Sequence, residues 1–529
     1  MMRPVVLSSW VVLALACGGA PTPPAEIPPV DQAPEATSEV VEQAPAPERE
    51  DLGVLELIEM RSGSPMVTLR VAFDAGSAED PDGREGLTRL TAEAMVEAGA
   101  GDRSYAQLTE ALYPMAGEIH AATDRDQTVF VGRVHRDHLD AFYALFRDVL
   151  ARPRFDERDV ERLLARARTA LTMGLRGNDD EELGKQVLQA MLYEGHPYGH
   201  PELGTERGLG AIGPDDLRAQ AARVFCSGRV TVGLAGGYPE GFAARVRGDL
   251  GAMRRDGCVG RIRLPAVELD GMRIWLVDKP DARSVAVSLG VPIDVTRDHE
   301  DYAALTLAAA YLGQHRTFAG RLMQKMRGDR GLNYGDYAYA EHFVQEGWSR
   351  FPRPNISRRQ QYFSAWVRPV QPENAHFAIR MVVRELRQFV RDGISTEDFE
   401  RIRTFVDRYY ALYLQTESRR LGFAIDDRYY DSPQPWLEGL REAWRRLTPE
   451  QVNAAVRRHL DLSKLQIAIV AADAQALADR LASEVESPLR HRGAPSEAIL
   501  AEDREIARYR IGIGRDRMRV LPVAEIFAQ

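Results

Sequence analysis

The sequence predicts an α+β fold built from two tandem homologous domains, and three observations carry that reading. At 529 residues the chain exceeds one ordinary core, and 44% hydrophobic with 28% charged residues describes a globular chain. Strand-like runs of β-branched and aromatic residues alternate with amphipathic helix patterns. Segments of like pattern recur at an offset of about 235 residues, the mark of an internal duplication.

At the N-terminus, Met1–Pro4 carries one arginine, Val5–Ala16 is a short apolar run, and Cys17 follows Ala14-Leu15-Ala16. This reads as a secretion signal, too short to span as a mature helix. The small residue before Cys17 and the Gly18-Gly19 after it resemble a bacterial lipoprotein cleavage box, which implies that Cys17 becomes the lipidated first residue. An ordinary signal peptide with an incidental cysteine is the alternative. Residues 18–50 are rich in Pro, Ala and Glu and too poor in large apolar groups to bury a core, so they read as a disordered tether. Extended at ~3.1 Å per residue, about thirty residues reach roughly 100 Å.

Three segment pairs support the duplication. Gln127–Arg133 and Gln361–Arg368 both read as strands that lead into long amphipathic helices. Phe155–Arg162 and Ile394–Arg401 both place an acidic first turn before a basic amphipathic helix. Gly213–Leu217 and Thr448–Val452 both open a helix with proline at its first position, followed by the strands Arg229–Leu234 and Lys464–Val470. The boundary falls near Val259–Glu268, giving domains at 51–260 and 261–490. A tail at 491–529 contains two strand-like runs, Arg508–Ile513 and Met518–Val523.

A formal net charge of −10 provides no basic footprint for nucleic acid, and that class is discarded. Of three cysteines, Cys226 and Cys258 either pair in an oxidising compartment or stay as two buried thiols.

Phe73–Thr88 (FDAGSAEDPDGREGLT) resembles the strand and glycine-rich loop that lead into the catalytic helix of the insulinase/pitrilysin peptidases, the inverzincins. Tyr193–Pro201 (YEGHPYGHP) with Leu203-Gly-Thr205, Gly271–Pro280 (GMRIWLVDKP) and Gly320–Tyr334 (GRLMQKMRGDRGLNY) extend the likeness over roughly residues 55–485. The resemblance implies two domains, each a mixed, mainly antiparallel sheet backed by helices. It further implies a chamber of the kind that mitochondrial processing peptidase and the two-chain bacterial members close around peptides.

Active members carry H-x-x-E-H on a helix: two imidazoles one turn apart bind Zn²⁺, and the glutamate activates its water. Aligned on Gly86-Leu-Thr, the five positions here are Arg89, Leu90, Thr91, Ala92 and Glu93, so both histidines and the catalytic glutamate are replaced. Arg162–Asn178, where the third ligand is expected, has no Asp or Glu. Arg89 and Glu93 stand one helical turn apart and are expected to pair in place of the metal. His196 and His200 flank Pro197 and Gly199, which disfavour a helix, and His135 and His138 read as solvated surface.

In the family's second domain an arginine and a tyrosine seven residues apart hold the substrate backbone and the tetrahedral intermediate. Arg327 and Tyr334 match them, and a guanidinium fork with a phenol suits oxyanion stabilisation. A helix-end arginine and a packed tyrosine kept for folding is the plainer reading. The resemblance implies a chain with no cofactor of its own, acting as the non-zinc subunit of a heterodimeric zinc metalloendopeptidase. Its expected partners are a zinc-bearing subunit, peptide or unfolded-protein substrate and, through Cys17, a bacterial envelope membrane. The alternative is a non-catalytic peptide-binding or scaffold protein; a self-sufficient metallopeptidase fits least.

Overall fold

The computed structural model describes residues 48–253, 256–345, 347, 349, 351–491 and 493–529. The signal segment, Cys17 and the tether up to residue 47 lie outside the described residues. Glu48–Glu50, assigned above to the tether, belong to the folded unit: Arg49 bridges to Ile262, and Glu50 N donates to Arg261 O at 2.8 Å.

The first half contributes β1 (Glu56–Arg61), β2 (Met66–Phe73), β3 (Glu118–Thr123), β4 (Thr128–His135) and β5 (Val230–Gly236). The second contributes β6 (Arg273–Asp278), β7 (Val285–Ile293), β8 (Asp336–Tyr339), β9 (Gln361–Val370), β10 (Gln466–Ala471) and β11 (Met518–Pro522). The first sheet runs β1-β5-β2-β4-β3 and the second β11-β6-β10-β7-β9-β8. Without β11 the two orders coincide strand for strand, and in each the outer pair, β1 with β5 or β6 with β10, is parallel while the rest are antiparallel. The expected repeat of mixed, mainly antiparallel sheets is therefore present as topology. Inner strands such as β10 (QIAIVA) are buried on both faces and read as continuous apolar runs rather than alternating ones.

The halves exchange helices. Asp180–Leu192 comes from the first half but packs on β7 and β10. Glu417–Tyr429 comes from the second half but packs on β5, β1 and β2. Glycine makes both approaches possible: a Cβ on Gly233 of β5 would stand 2.8 Å from Leu421 Cδ1, and one on Gly290 of β7 would stand 3.3 Å from Leu188 Cδ2. The exchange makes one compact unit of residues 47–529.

The C-terminal segment differs from the sequence reading. Arg508–Ile513 forms no strand, because it follows the helix Glu497–Ala507, which the pattern did not reveal. Met518–Pro522 is a strand, joined parallel to β6 as the edge of the second sheet. Arg330, fully buried, pairs with Glu502 and Asp503 of that helix at 2.7 Å each, so the segment buttresses the second half.

Cys226 and Cys258 form a disulfide across 32 residues, with their Cα atoms 6.1 Å apart. Closing a loop of that length restricts the unfolded chain by about 3–4 kcal/mol. The Cys226→Ala/Cys258→Ala variant is expected to lose about that much in urea titration, and reductant should shift only the parent. Equal midpoints for parent and variant would mean that the bond contributes nothing.

Candidate functional site

The helix Leu87–Glu97 starts where it does because Asp80 caps it, its carboxylate accepting from Gly86 N and Thr88 N at 2.7 Å each. Gly86 has φ +99° and lies against Gly204, so a side chain there is excluded by conformation and by space. Leu87, Leu90, Thr91, Ala94 and Met95 face the core, which turns Arg89 and Glu93 toward a cavity of about 380 Å³ between the two halves. Ala121–Asp124, Lys185 and Gln189 from the first half share that cavity with Phe343, Val344 and Trp366 from the second.

Arg89 Nε donates to Glu93 Oε1 at 2.9 Å, the expected pair. Arg166 Nη2 donates to Glu93 Oε2 at 3.1 Å and to Glu97 Oε1 at 2.8 Å, and Arg162 Nη1 reaches Glu97 Oε2 at 3.2 Å. Hydrogen bonds and charge from Glu97 and Glu93 hold the Arg166 guanidinium even further above its ordinary value. Three guanidiniums thus surround two carboxylates, and both oxygens of Glu93 are taken. No divalent cation fits this donor set: both oxygens of Glu93 and both of Glu97 are taken by arginines, and the added charge would meet three guanidiniums. Sequence reasoning placed Arg166 only within an acid-free stretch and did not identify it as the group opposite Glu93.

The histidine pairs offer no alternative. Burial pushes His196 down to about 4, and its ring nitrogens already meet Tyr198 N at 3.0 Å and Pro265 O at 3.2 Å. His200 Nδ1 contacts Pro201 O at 3.1 Å, and His135 lies at the surface beside Asp137. His299, Asp301 and His459 lie within 4.8 Å of one another, but His459 and Arg458 already occupy the Asp301 carboxylate.

Arg327 and Tyr334 lie elsewhere, and neither is among the residues lining the cavity at Arg89 and Glu93. Arg327 ends a π-helical turn, Met323–Gly328. Gly331, at φ +62°, closes that turn through its N–H to Arg327 O at 2.9 Å and releases the chain toward Tyr334. Tyr334 is 77% exposed, and Arg327 Nη1 donates to its carbonyl at 3.2 Å. The Arg327 guanidinium stands 5.3 Å from the Tyr334 ring and 4.9 Å from the ring of Phe318, itself 64% exposed. The arrangement is a cationic donor between two aromatic rings, open to the outside.

Asn333 and Asp336 anchor this loop. Asn333 Nδ2 donates to Asp336 Oδ1 at 2.7 Å and to Arg368 O at 3.0 Å, while Asp336 Oδ2 has no partner among the described residues. Burial pushes the Asp336 carboxyl up to about 8, against the pull of Asn333 and Arg368. An acid harder to ionise folded than unfolded costs stability as pH rises from its unfolded value near 3.8 to about 8. Asp336→Asn, which mimics the protonated acid, is expected to raise Tm most at pH 8 and progressively less toward pH 4. A gain independent of pH would show that this carboxyl is not the group titrating.

Residues 57–206 match the family Insulinase (Peptidase family M16), and residues 211–406 match the Peptidase M16 inactive domain. The chain is 22% identical to "Non-peptidase homolog YmxG" of Helicobacter pylori over 77% of this chain and 89% of that one. It is 23% identical to "Uncharacterized zinc protease YmxG" of Bacillus subtilis over 56% and 70% of the two chains. A peptidase M16 inactive domain from Pseudomonas fluorescens shares the fold with TM-score 0.69 at 22% identity, covering 79% of this chain and 96% of that one. A protease from Helicobacter pylori does so with TM-score 0.65 at 14% identity, covering 80% of this chain and 100% of that one. With both halves matched in order and the repeated sheets in place, the chain belongs to the insulinase (peptidase M16) family.

Proposed function

We propose that this chain is the zinc-free subunit of a two-chain zinc metalloendopeptidase of the bacterial cell envelope, held to a membrane through lipidated Cys17. The observation that carries the reading is the separation of the two clusters. Arg327 and Tyr334 stand together, Tyr334 exposed and Arg327 half-buried, and neither lines the cavity where arginines fill the former metal position. Donors suited to a peptide carbonyl and its oxyanion therefore face outward, where a second chain can bring a metal-bound water. This chain supplies orientation and charge stabilisation, and the partner supplies the metal. The edge of β3 beside Arg89 and Glu93 has no strand partner among the described residues, which suits addition of an extended peptide. The name "Non-peptidase homolog" given to one relative is in keeping with this reading.

The test is zinc content and peptide cleavage by the purified chain alone and after mixing with the zinc-bearing family member of the same organism. Cleavage is expected only in the mixture. Zinc and cleavage in the lone chain overturn the proposal, and a tight but inactive pair replaces it with a scaffold that holds peptides uncut.

A further inference from the structure

A second pocket, of about 220 Å³, opens on the face of the first sheet that the helix Glu417–Tyr429 covers. The strand register fixes what stands on that face. Arg70 of β2 is opposite Val131 of β4, and Val131 is opposite His120 of β3, so the three side chains share one side of the sheet. All three line the pocket, and the second half closes it with Arg353 and with Arg419 from the first turn of that helix. Glu417, the acid of the same turn, pairs with Arg420 at 4.0 Å and is not among the lining residues.

The lining is basic: three arginines and a histidine contribute to it, and among the described residues no Asp or Glu does. Neutral groups orient two of the arginines. Arg70 donates to Asn355 Oδ1 at 2.8 Å and to Ser418 Oγ at 3.1 Å, and Arg419 donates to Pro352 O at 2.7 Å. Arg353 differs from both. It is half-buried, makes no hydrogen bond, ion pair or ring contact among the described residues, and has no nitrogen sealed from solvent. A guanidinium held partly out of water gains most from an anion that arrives with a ligand.

The pocket adjoins the chamber between the halves. Arg353 lines both, and β3 gives Ala121, Ala122 and Thr123 to the chamber and His120 to the pocket. A peptide added along the open edge of β3 places the side chain opposite His120 on the face of His120, because paired residues share a face and successive ones alternate. That side chain is delivered to the arginines. A carboxylate suits them, since it is planar and anionic and meets a guanidinium fork with two oxygens. We infer that this pocket receives a carboxylate of a peptide held in the chamber, from an Asp or Glu side chain or from the peptide's C-terminus. The inference rests on the peptide-holding function above and gives it a charge preference.

Isothermal titration calorimetry on the purified chain tests it with short acetylated and C-amidated peptides that differ in one central residue, Glu, Gln or Lys. The Glu peptide is expected to bind about tenfold more tightly than the Gln peptide, and the Lys peptide more weakly than either. A Gln peptide with a free C-terminal carboxylate separates the two sources: a gain there, with none for Glu, assigns the pocket to a C-terminus. Arg353→Gln should bring the carboxylate-bearing and neutral peptides to parity, and Arg353→Glu should favour the Lys peptide. Arg353 has no polar contact among the described residues to lose, so both variants should melt with the parent. Arg446→Glu, the same change of charge at an exposed site on another helix, should leave the order of affinities as it was. Equal binding of the Glu and Gln peptides with no gain from a free C-terminus, no binding of any peptide, or a preference that survives Arg353→Glu overturns the inference. Cleavage by the mixed pair is a separate readout, so the pocket and the subunit function can fail independently.

Discussion

Replacing Arg327 with alanine is expected to lower kcat/KM of the mixed pair about a hundredfold to a thousandfold, the effect of removing one donor from an oxyanion site. A guanidinium is a charge-assisted, forked donor, and beside it stand the rings of Tyr334 and Phe318. The loss should not arise from unfolding. Among the described residues, Arg327 makes a single hydrogen bond and two ring contacts, worth about 1 kcal/mol or less. Tm should therefore stay within a few degrees of the parent. Arg327→Lys keeps the charge without the fork and should recover part of the rate, and Tyr334→Phe should cost about tenfold. Steady-state kinetics of reconstituted pairs check the series. Activity of Arg327→Ala within threefold of the parent would remove this residue from the reaction.

Much of the fold was legible because the periodicity of apolar residues is local. The pairs β4 with β9 and β5 with β10, and the helices that open at Pro214 and Pro449, lie where runs of β-branched and aromatic residues and the helix-start residues place them. The exchange of Asp180–Leu192 and Glu417–Tyr429 was not legible, since an amphipathic stripe shows that a helix is covered but not by which sheet. Gly233 and Gly290 mark the two approaches, and each has the ordinary reading of a glycine in a strand. At the degenerate metal position, i to i+4 spacing disclosed Arg89 with Glu93, whereas Arg166 meets Glu93 across 73 residues of sequence. The Arg327–Tyr334 pair came from the family motif. That Tyr334 is exposed while Arg327 is half-buried is visible only in the structure.

The same distinction between charge and location governs Arg358, whose replacement by alanine is expected to cost about 3–5 kcal/mol. In sequence Arg358 is one of several arginines before β9, and nothing in the pattern singles it out. In the structure its side chain is fully buried between the halves. It donates to Asp124 Oδ1 from Nε at 3.2 Å, to Gln189 Oε1 from Nη1 at 2.8 Å and to Glu202 Oε1 from Nη2 at 3.4 Å. Arginine is almost never buried unless paired, and here both charged partners come from the other half of the chain. Truncation leaves Asp124 desolvated, with Arg125 N at 2.7 Å and His342 at 3.5 Å in place of a guanidinium. The destabilisation therefore lies in the stranded carboxylate more than in the lost pair. Arg358→Met with Asp124→Asn, which removes both charges, should recover most of the loss. Urea midpoints of the two single variants and the double variant decide the matter. A loss below about 1 kcal/mol for Arg358→Ala would mean that water reaches this interface and that the exchanged helices alone hold the halves together.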